Sequence, residues 1–139
     1  MRVRTENGKE QVWCAWRRKY VRLTPEEYVR QTILREMVDE RGYPASLIAV
    51  EVAIPTPPEM PAKRADAIVY NRQMQPMMLM EFKADTVALT QRTLDQAAVY
   101  NRLIGAPYLI LSNGRESIAA RVEENTIAFM KNIPLWTEL

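Results

Sequence analysis

Residues 77–83 read Met-Met-Leu-Met-Glu-Phe-Lys, an apolar run that ends on a carboxylate and an ammonium two positions apart. On a strand, positions 81 and 83 project from the same face. The strand body wants burial, and a charged pair at the end of a buried strand is costly unless it is paired or put to use. Fifteen positions earlier Asp66 opens a second apolar run, Asp66-Ala67-Ile68-Val69-Tyr70. Two neighbouring strands would bring Asp66, Glu81 and Lys83 together. The types fit a Mg²⁺ site, because Mg²⁺ takes a few carboxylate oxygens and leaves room for waters and substrate phosphate. Asp66 and Glu81 are the candidate ligands. Lys83 is placed to position or deprotonate an attacking water, or to offset charge growing on phosphate. Taken alone, Glu-x-Lys is a weak motif, and a surface ion pair would produce the same letters.

The rest of the chain narrows the chemistry. There is no histidine, which excludes histidine-ligated zinc, histidine general bases and serine–histidine triads. The single cysteine, Cys14, cannot form an internal disulfide, and the expectation is a reducing compartment, with the cytoplasm as default. No apolar run is long enough to cross a membrane, and the polar, charged N-terminus does not read as a secretory signal. A net charge of +2 over 139 residues permits a polyanionic partner without arguing for one. The length is that of one domain.

In order, residues 1–11 read as a flexible arm. Residues 12–23 mix aromatics with Arg17, Arg18, Lys19 and Arg22, which suits a short strand or hairpin with a solvated basic edge or a phosphate-contacting patch. Thr24-Pro25-Glu26-Glu27 is a helix start, with Thr24 as N-cap, Glu27 at the capping-box position and Leu23 and Tyr28 spaced for a hydrophobic staple. The helix runs to about Arg41 and stops at Gly42 and Pro44. Residues 47–54 form an apolar strand whose one charge, Glu51, is expected to be exposed or in a structural ion pair. A proline-rich loop over 55–61 leads through Lys63 and Arg64, candidate phosphate contacts, into the Asp66 strand. After 77–83, residues 88–104 read as a second helix, 108–111 as a short buried strand, and 117–122 with 126–130 as a terminal hairpin. On the second helix, Gln96 and Tyr100 share a face turned toward the strand ends where the acids emerge. Glu27, with Glu26 as the alternative, could add a carboxylate from the first helix, or could simply close the capping box. This order gives an α/β sandwich with a mixed sheet.

The ordered set Asp66, Glu81-x-Lys83, Gln96-x-x-x-Tyr100 resembles the PD-(D/E)XK nuclease superfamily, and the Gln-x-x-x-Tyr extension is similar to its RecB-like branch. More closely, LTPEEYVRQ, GYPASLIAVE, KRADAIVY, LMEFKA, LDQAAVYN and APYLILSNG resemble the N-terminal nuclease domain of type I restriction enzyme R subunits. The resemblance covers about Arg18 to the end. It implies a single restriction-endonuclease-like domain over 1–139, an α-β-β-β-α-β core with a mixed central sheet, flanking helices and a C-terminal hairpin. It also implies a metal-dependent DNA endonuclease. Asp66 and Glu81 would hold Mg²⁺, with Mn²⁺ able to substitute, Lys83 would be the catalytic lysine, Gln96 and Tyr100 would support them, and Glu27 or Glu26 would add to the site. Arg17, Arg18, Lys19, Lys63 and Arg64 are the candidate DNA contacts. Ala65 stands where the superfamily often has proline. No helicase motor follows within the 139 residues, so the expectation is a stand-alone relative or a separate translocase or specificity partner. Double-strand cleavage by one active site per chain would favour a homodimer. A non-catalytic nucleic-acid-binding or assembly module that keeps the nuclease fold is the alternative, and a hydrolase of RNA or nucleotides is a third reading.

Overall fold

A computed structural model describes residues 1–124 and 126–139. The MMLMEFK run is strand β6, Pro76–Phe82, and it sits inside a six-stranded sheet of order β4-β5-β6-β7-β8-β9. The other members are β4 (Ile48–Ala53), β5 (Arg64–Tyr70), β7 (Tyr108–Ser112), β8 (Ser117–Val122) and β9 (Ile127–Met130). Among the described residues β6 and β7 alone pair in parallel, through the crossover helix α2 (Gln91–Ile104), and the other neighbouring pairs of this sheet are antiparallel. The sheet is therefore mixed, with helices on both faces.

The near-continuous apolar character of β6 and β7 follows from that burial on both sides. On one face Ala67, Val69, Met78, Met80, Phe82 and Ile110 pack under helix α1 (Pro25–Arg41), against Val29, Ile33, Leu34 and Met37. On the other, Ile68, Leu79, Leu109 and Leu111 pack under α2, against Leu94 and Ala97. Each fully buried side chain of this size contributes about 1.5–3 kcal/mol. The charged end of β6 is thus fixed from both sides.

Helix α1 begins as the sequence demands. The Thr24 hydroxyl accepts from the Glu27 backbone N–H at 3.1 Å, Pro25 follows the cap, and Gly42 closes the helix at φ 78°. Tyr28, the expected staple partner of Leu23, is 56% exposed, and one expectation at this end fails. The Glu27 carboxylate does not close the capping box, because arginines claim it. Helix α2 starts at Gln91 rather than at 88, since Thr90 and Thr93 cap each other reciprocally. At the β7–β8 turn, Gly114 takes φ +86°, and a Cβ there would lie 3.3 Å from Val29 Cγ2, so that turn tucks closely under α1.

The largest correction concerns the N-terminus. Residues 1–11 are not a loose arm: β1 (Val3–Glu6), β2 (Lys9–Cys14) and β3 (Lys19–Arg22) form a separate antiparallel sheet. The pairs Val3–Val12 and Val12–Val21 set its register, Val12 and Cys14 are buried beneath it, and Trp16 Nε1 donates to the Ala45 carbonyl at 3.1 Å. Asn7-Gly8, both at positive φ, make the two-residue turn that such a hairpin prefers. Among the described residues no helix is long and apolar enough to cross a membrane.

Candidate active site

The register of β4, β5 and β6 lines up three carboxylates. Val50 pairs with Ala67 and Val52 with Ala65, so Glu51 lies opposite Asp66. Ala67 pairs with Met80, so one step further along Asp66 lies opposite Glu81. Glu51 takes φ 54° in mid-strand, a left-handed conformation that costs a non-glycine residue about 1–3 kcal/mol and collects at functional sites. The Asp66 Oδ2 accepts the Phe82 backbone N–H at 2.7 Å, which holds its carboxylate at the end of β6 beside Glu81.

Glu81 is buried. Burial, and then the Asp66 carboxylate beside it, push its pKa up to about 7 against the pull of Lys63. Lys63 Nζ donates to Glu81 Oε2 at 3.2 Å, while Oε1 is buried with no hydrogen-bond partner among the described residues. A buried carboxylate whose charge is disfavoured by burial and by a neighbouring acid, and which keeps an orphaned oxygen, suits a divalent cation. The donor set fits the group. Among the described residues no group of three or more acids, cysteines or histidines is placed to hold a metal ion together; Asp66 and Glu81 are a pair, with Glu51 turned to Arg30.

Lys83 is half-buried and forms no ion pair among the described residues. It shares a cleft of about 420 Å³ with Glu81, Lys63, Gln96 and Tyr100. Of the α2 pair, Gln96 is exposed toward that cleft, and the half-buried Tyr100 reaches the Pro61 carbonyl of the proline-rich loop at 3.4 Å. The structure therefore brings Glu81, Lys83, Gln96, Tyr100 and Lys63 together on the α2 side.

Glu27 goes elsewhere. It lies on the α1 side, in a second cleft of about 410 Å³ that also takes in Asp66, Arg17, Glu26 and Arg30. Its oxygens accept from Arg17 Nη2 at 2.6 and 2.7 Å, from Gln31 Nε2 at 3.0 Å and from Arg30 Nη2. Burial alone would raise the Glu27 pKa, but the hydrogen bonds from Arg30, Arg17 and Gln31 outweigh it and hold the carboxyl below its ordinary range. Glu27 is a fully engaged anion, and Glu26 is exposed on the rim. Arg17 is committed to Glu27, with its side chain 20% exposed. Arg18, Lys19 and Arg64 are exposed, and Lys63 faces the acid pair rather than solvent alone.

Sequence reasoning passed over Arg30. It is buried, it bridges Glu27 and Glu51, and it donates to the Asp66 carbonyl at 3.2 Å. This one guanidinium ties α1 to β4 and β5 at the level of the acids. The signal was present in the sequence: Glu27, Arg30, Gln31 and Leu34 fall at helical spacing along one face, so polar residues interrupt the apolar stripe of α1. The Glu51 expectation of a structural ion pair is met at 3.0 Å to Arg30.

The family model for the type I restriction enzyme R protein N terminus (HSDR_N) matches residues 25–134. The chain belongs to this family. Among solved structures, a fragment described as an HsdR subunit of a type I restriction enzyme from Vibrio vulnificus YJ016 is similar with a TM-score of 0.60 and 18% identity, over 81% of this chain and 24% of that one. At that identity the likeness shows the fold, which is restriction-endonuclease-like, and the chain spans about a quarter of that relative's length. The type IIG restriction endonuclease BpuSI is similar over 80% of this chain and 12% of its own, at 18% identity and a TM-score of 0.46, too low to carry an argument. No curated protein sequence matches the chain. The HSDR_N match begins at Pro25, so the β1–β3 sheet precedes it.

Proposed function

We propose that this HSDR_N domain is a Mg²⁺-dependent DNA endonuclease, with Mn²⁺ able to substitute. The observation that carries the reading is the Asp66–Glu81 pair in register on β5 and β6, with Glu81 Oε1 unpartnered among the described residues and Lys83, one residue past the end of β6, lining the same cleft as Glu81. A divalent ion held by those carboxylates would supply Lewis acidity toward a phosphate oxygen and a lowered pKa for water. The chain's own residues do the rest. Asp66 is oriented by the Phe82 N–H and steadied through its carbonyl by Arg30. Lys83 offers an ammonium with no competing carboxylate, placed to orient the attacking water or to balance charge on the phosphate. Gln96 and Tyr100 form the far wall of the cleft, where they can hold a water or a phosphate oxygen. Lys63 pairs with Glu81 and would be a candidate phosphate contact with a cation held by the acids. A DNA substrate fits a cytoplasmic setting, and a homodimer or a separate specificity or translocase subunit would complete double-strand cleavage.

Supercoiled plasmid incubated with Mg²⁺ or Mn²⁺ tests this. Wild type should nick it, EDTA should stop the reaction, and Asp66→Ala and Lys83→Ala should be inactive. Equal nicking by wild type and Lys83→Ala would sink the assignment. A second reading, a nucleic-acid-binding module without turnover, draws on the Lys63–Glu81 pair that occupies the site and on the full engagement of Glu27. It expects salt-sensitive DNA binding, no Mn²⁺ heat that Asp66→Ala abolishes, and no cleavage.

A further inference from the structure

The charge of the chain is unevenly placed. Residues 1–23 carry seven Arg or Lys and two Glu, whereas residues 24–139 carry twelve against fifteen acids. The small N-terminal sheet is a basic module attached to an acidic domain.

Strand alternation sorts that charge further. Val12 and Cys14 point inward, so Gln11 and Trp13 point outward, and their partners across the ladder share that side. Trp13 pairs with Tyr20 and Gln11 with both Arg22 and Arg4, while the Trp13 N–H donates to the Arg2 carbonyl. Side-chain contacts confirm the sorting. The Arg4 guanidinium lies 3.8 Å from the Tyr20 ring centre, Arg2 lies 5.4 Å from Trp13 and 5.6 Å from Tyr20, and the two rings meet edge to face. Lys9 falls on the same side, and Glu6, paired with Arg4 at 2.7 Å, is its one acid. The outer face is thus four cations around an aromatic pair.

Two features make this more than a solvated edge. The Arg4 guanidinium is stacked on the Tyr20 ring, Arg2 lies within cation–π range of Trp13 and Tyr20, and Arg4 Nε also donates to Gln11 at 2.8 Å, so the Arg4 donors are held in place before any ligand arrives. The face also reaches the α1-side cleft. Arg22, at the end of β3, lines the cleft that contains Asp66.

We propose that the outer face of the β1–β3 sheet is a docking surface for the phosphate backbone of duplex DNA, with Arg2, Arg4, Lys9 and Arg22 as the contacts. The proposal rests on the reading of Asp66 and Glu81 as a DNA-cleaving site. Arg2 and Arg4 stand two residues apart, about 6.8 Å along the strand, so both can reach one nucleic-acid strand. Arg22 then hands the backbone toward Asp66. This shifts the DNA contacts from Arg17, which Glu27 holds, to side chains of the sheet face.

Fluorescence anisotropy of a labelled duplex, in EDTA and from 50 to 200 mM KCl, tests it on the full chain. Replacing Arg2, Arg4, Lys9 and Arg22 with Gln should weaken Kd at least about tenfold and flatten the slope of log K against log salt by roughly 3–4. A set with the three arginines changed to Lys keeps the charge and should retain the slope, which also keeps the test decisive if the Gln set unfolds. A charge-matched set, Arg72, Arg102, Arg121 and Lys131 to Gln, should bind as wild type does. Unchanged binding by the first set, equal loss in the matched set, or no binding by wild type overturns the proposal. Calorimetry with Mn²⁺ reads the acid pair independently: heat that Asp66→Asn abolishes supports the site even where the sheet face fails.

Discussion

Replacing Glu81 with Gln should stabilise the metal-free protein at neutral and alkaline pH. The buried carboxyl is raised to about 7 from an ordinary 4.5 by burial and by the Asp66 carboxylate. A raised acid binds its proton more tightly folded than unfolded, so stability falls as pH climbs from 4.5 and levels off above 7. The gap between about 7 and 4.5 corresponds to roughly 3 kcal/mol lost across that window. For a domain of this size that is about 10 °C in Tm. Glutamine carries no charge to desolvate and has no proton to lose. Urea unfolding in EDTA at pH 5, 6, 7 and 8 should therefore show wild type losing stability with pH while Glu81→Gln does not, with the variant ahead at pH 8. Adding Mn²⁺ at pH 8 should stabilise wild type and leave the variant unmoved. If Glu81→Gln is less stable than wild type at pH 8 in EDTA, or if their difference is independent of pH, the account of Glu81 as a strained carboxylate awaiting a cation is wrong.

Lys83→Ala should change unfolding free energy by no more than about 0.5 kcal/mol, because its ammonium has no ion-pair partner among the described residues, yet should abolish nicking. A large loss of stability would show a structural lysine. Arg30→Ala should cost roughly 3–5 kcal/mol in chemical denaturation, since it leaves Glu27 and Glu51 without their shared cation. Glu27 behaves oppositely to Glu81. Its carboxyl is held below its ordinary value of 4.5, so its stabilisation is complete above that pH and is lost as pH falls through the lower folded value. Glu27→Gln should thus be destabilised at pH 7 and show a shallower acid limb than wild type in pH-dependent melting.

The helices and strands of the central domain could be read locally. Thr24-Pro25 and Gly42 bound α1, and the apolar runs at 47–54, 66–70 and 77–83 became β4, β5 and β6, at Ile48–Ala53, Arg64–Tyr70 and Pro76–Phe82. The juxtaposition of Asp66 and Glu81 was also legible, because two strands joined by a short turn pair in antiparallel and the turn sets their register. Residues 1–11 misled because each short strand of that sheet is mostly exposed and polar, so no local hydrophobic period marks it. Glu27 misled in the other direction: its position in Thr-x-x-Glu is that of a cap, and nothing local says that Arg17 and Arg30 will outbid the backbone.

What the sequence determined by itself was the order of elements from α1 onward, the apolar strands of the core, and the presence of Asp66, Glu81 and Lys83 where β5 meets β6. Those follow from short-range pattern and from steric rules that act within a few residues. Only the tertiary structure decided which charges neutralise one another. It set Lys63, not Lys83, on Glu81, left Lys83 without an ion pair among the described residues, and joined Arg30 to Glu27, Glu51 and Asp66 across 36 positions of chain. Ion pairs depend on distance in space and on burial, and both are fixed when the sheet and α1 close over the core.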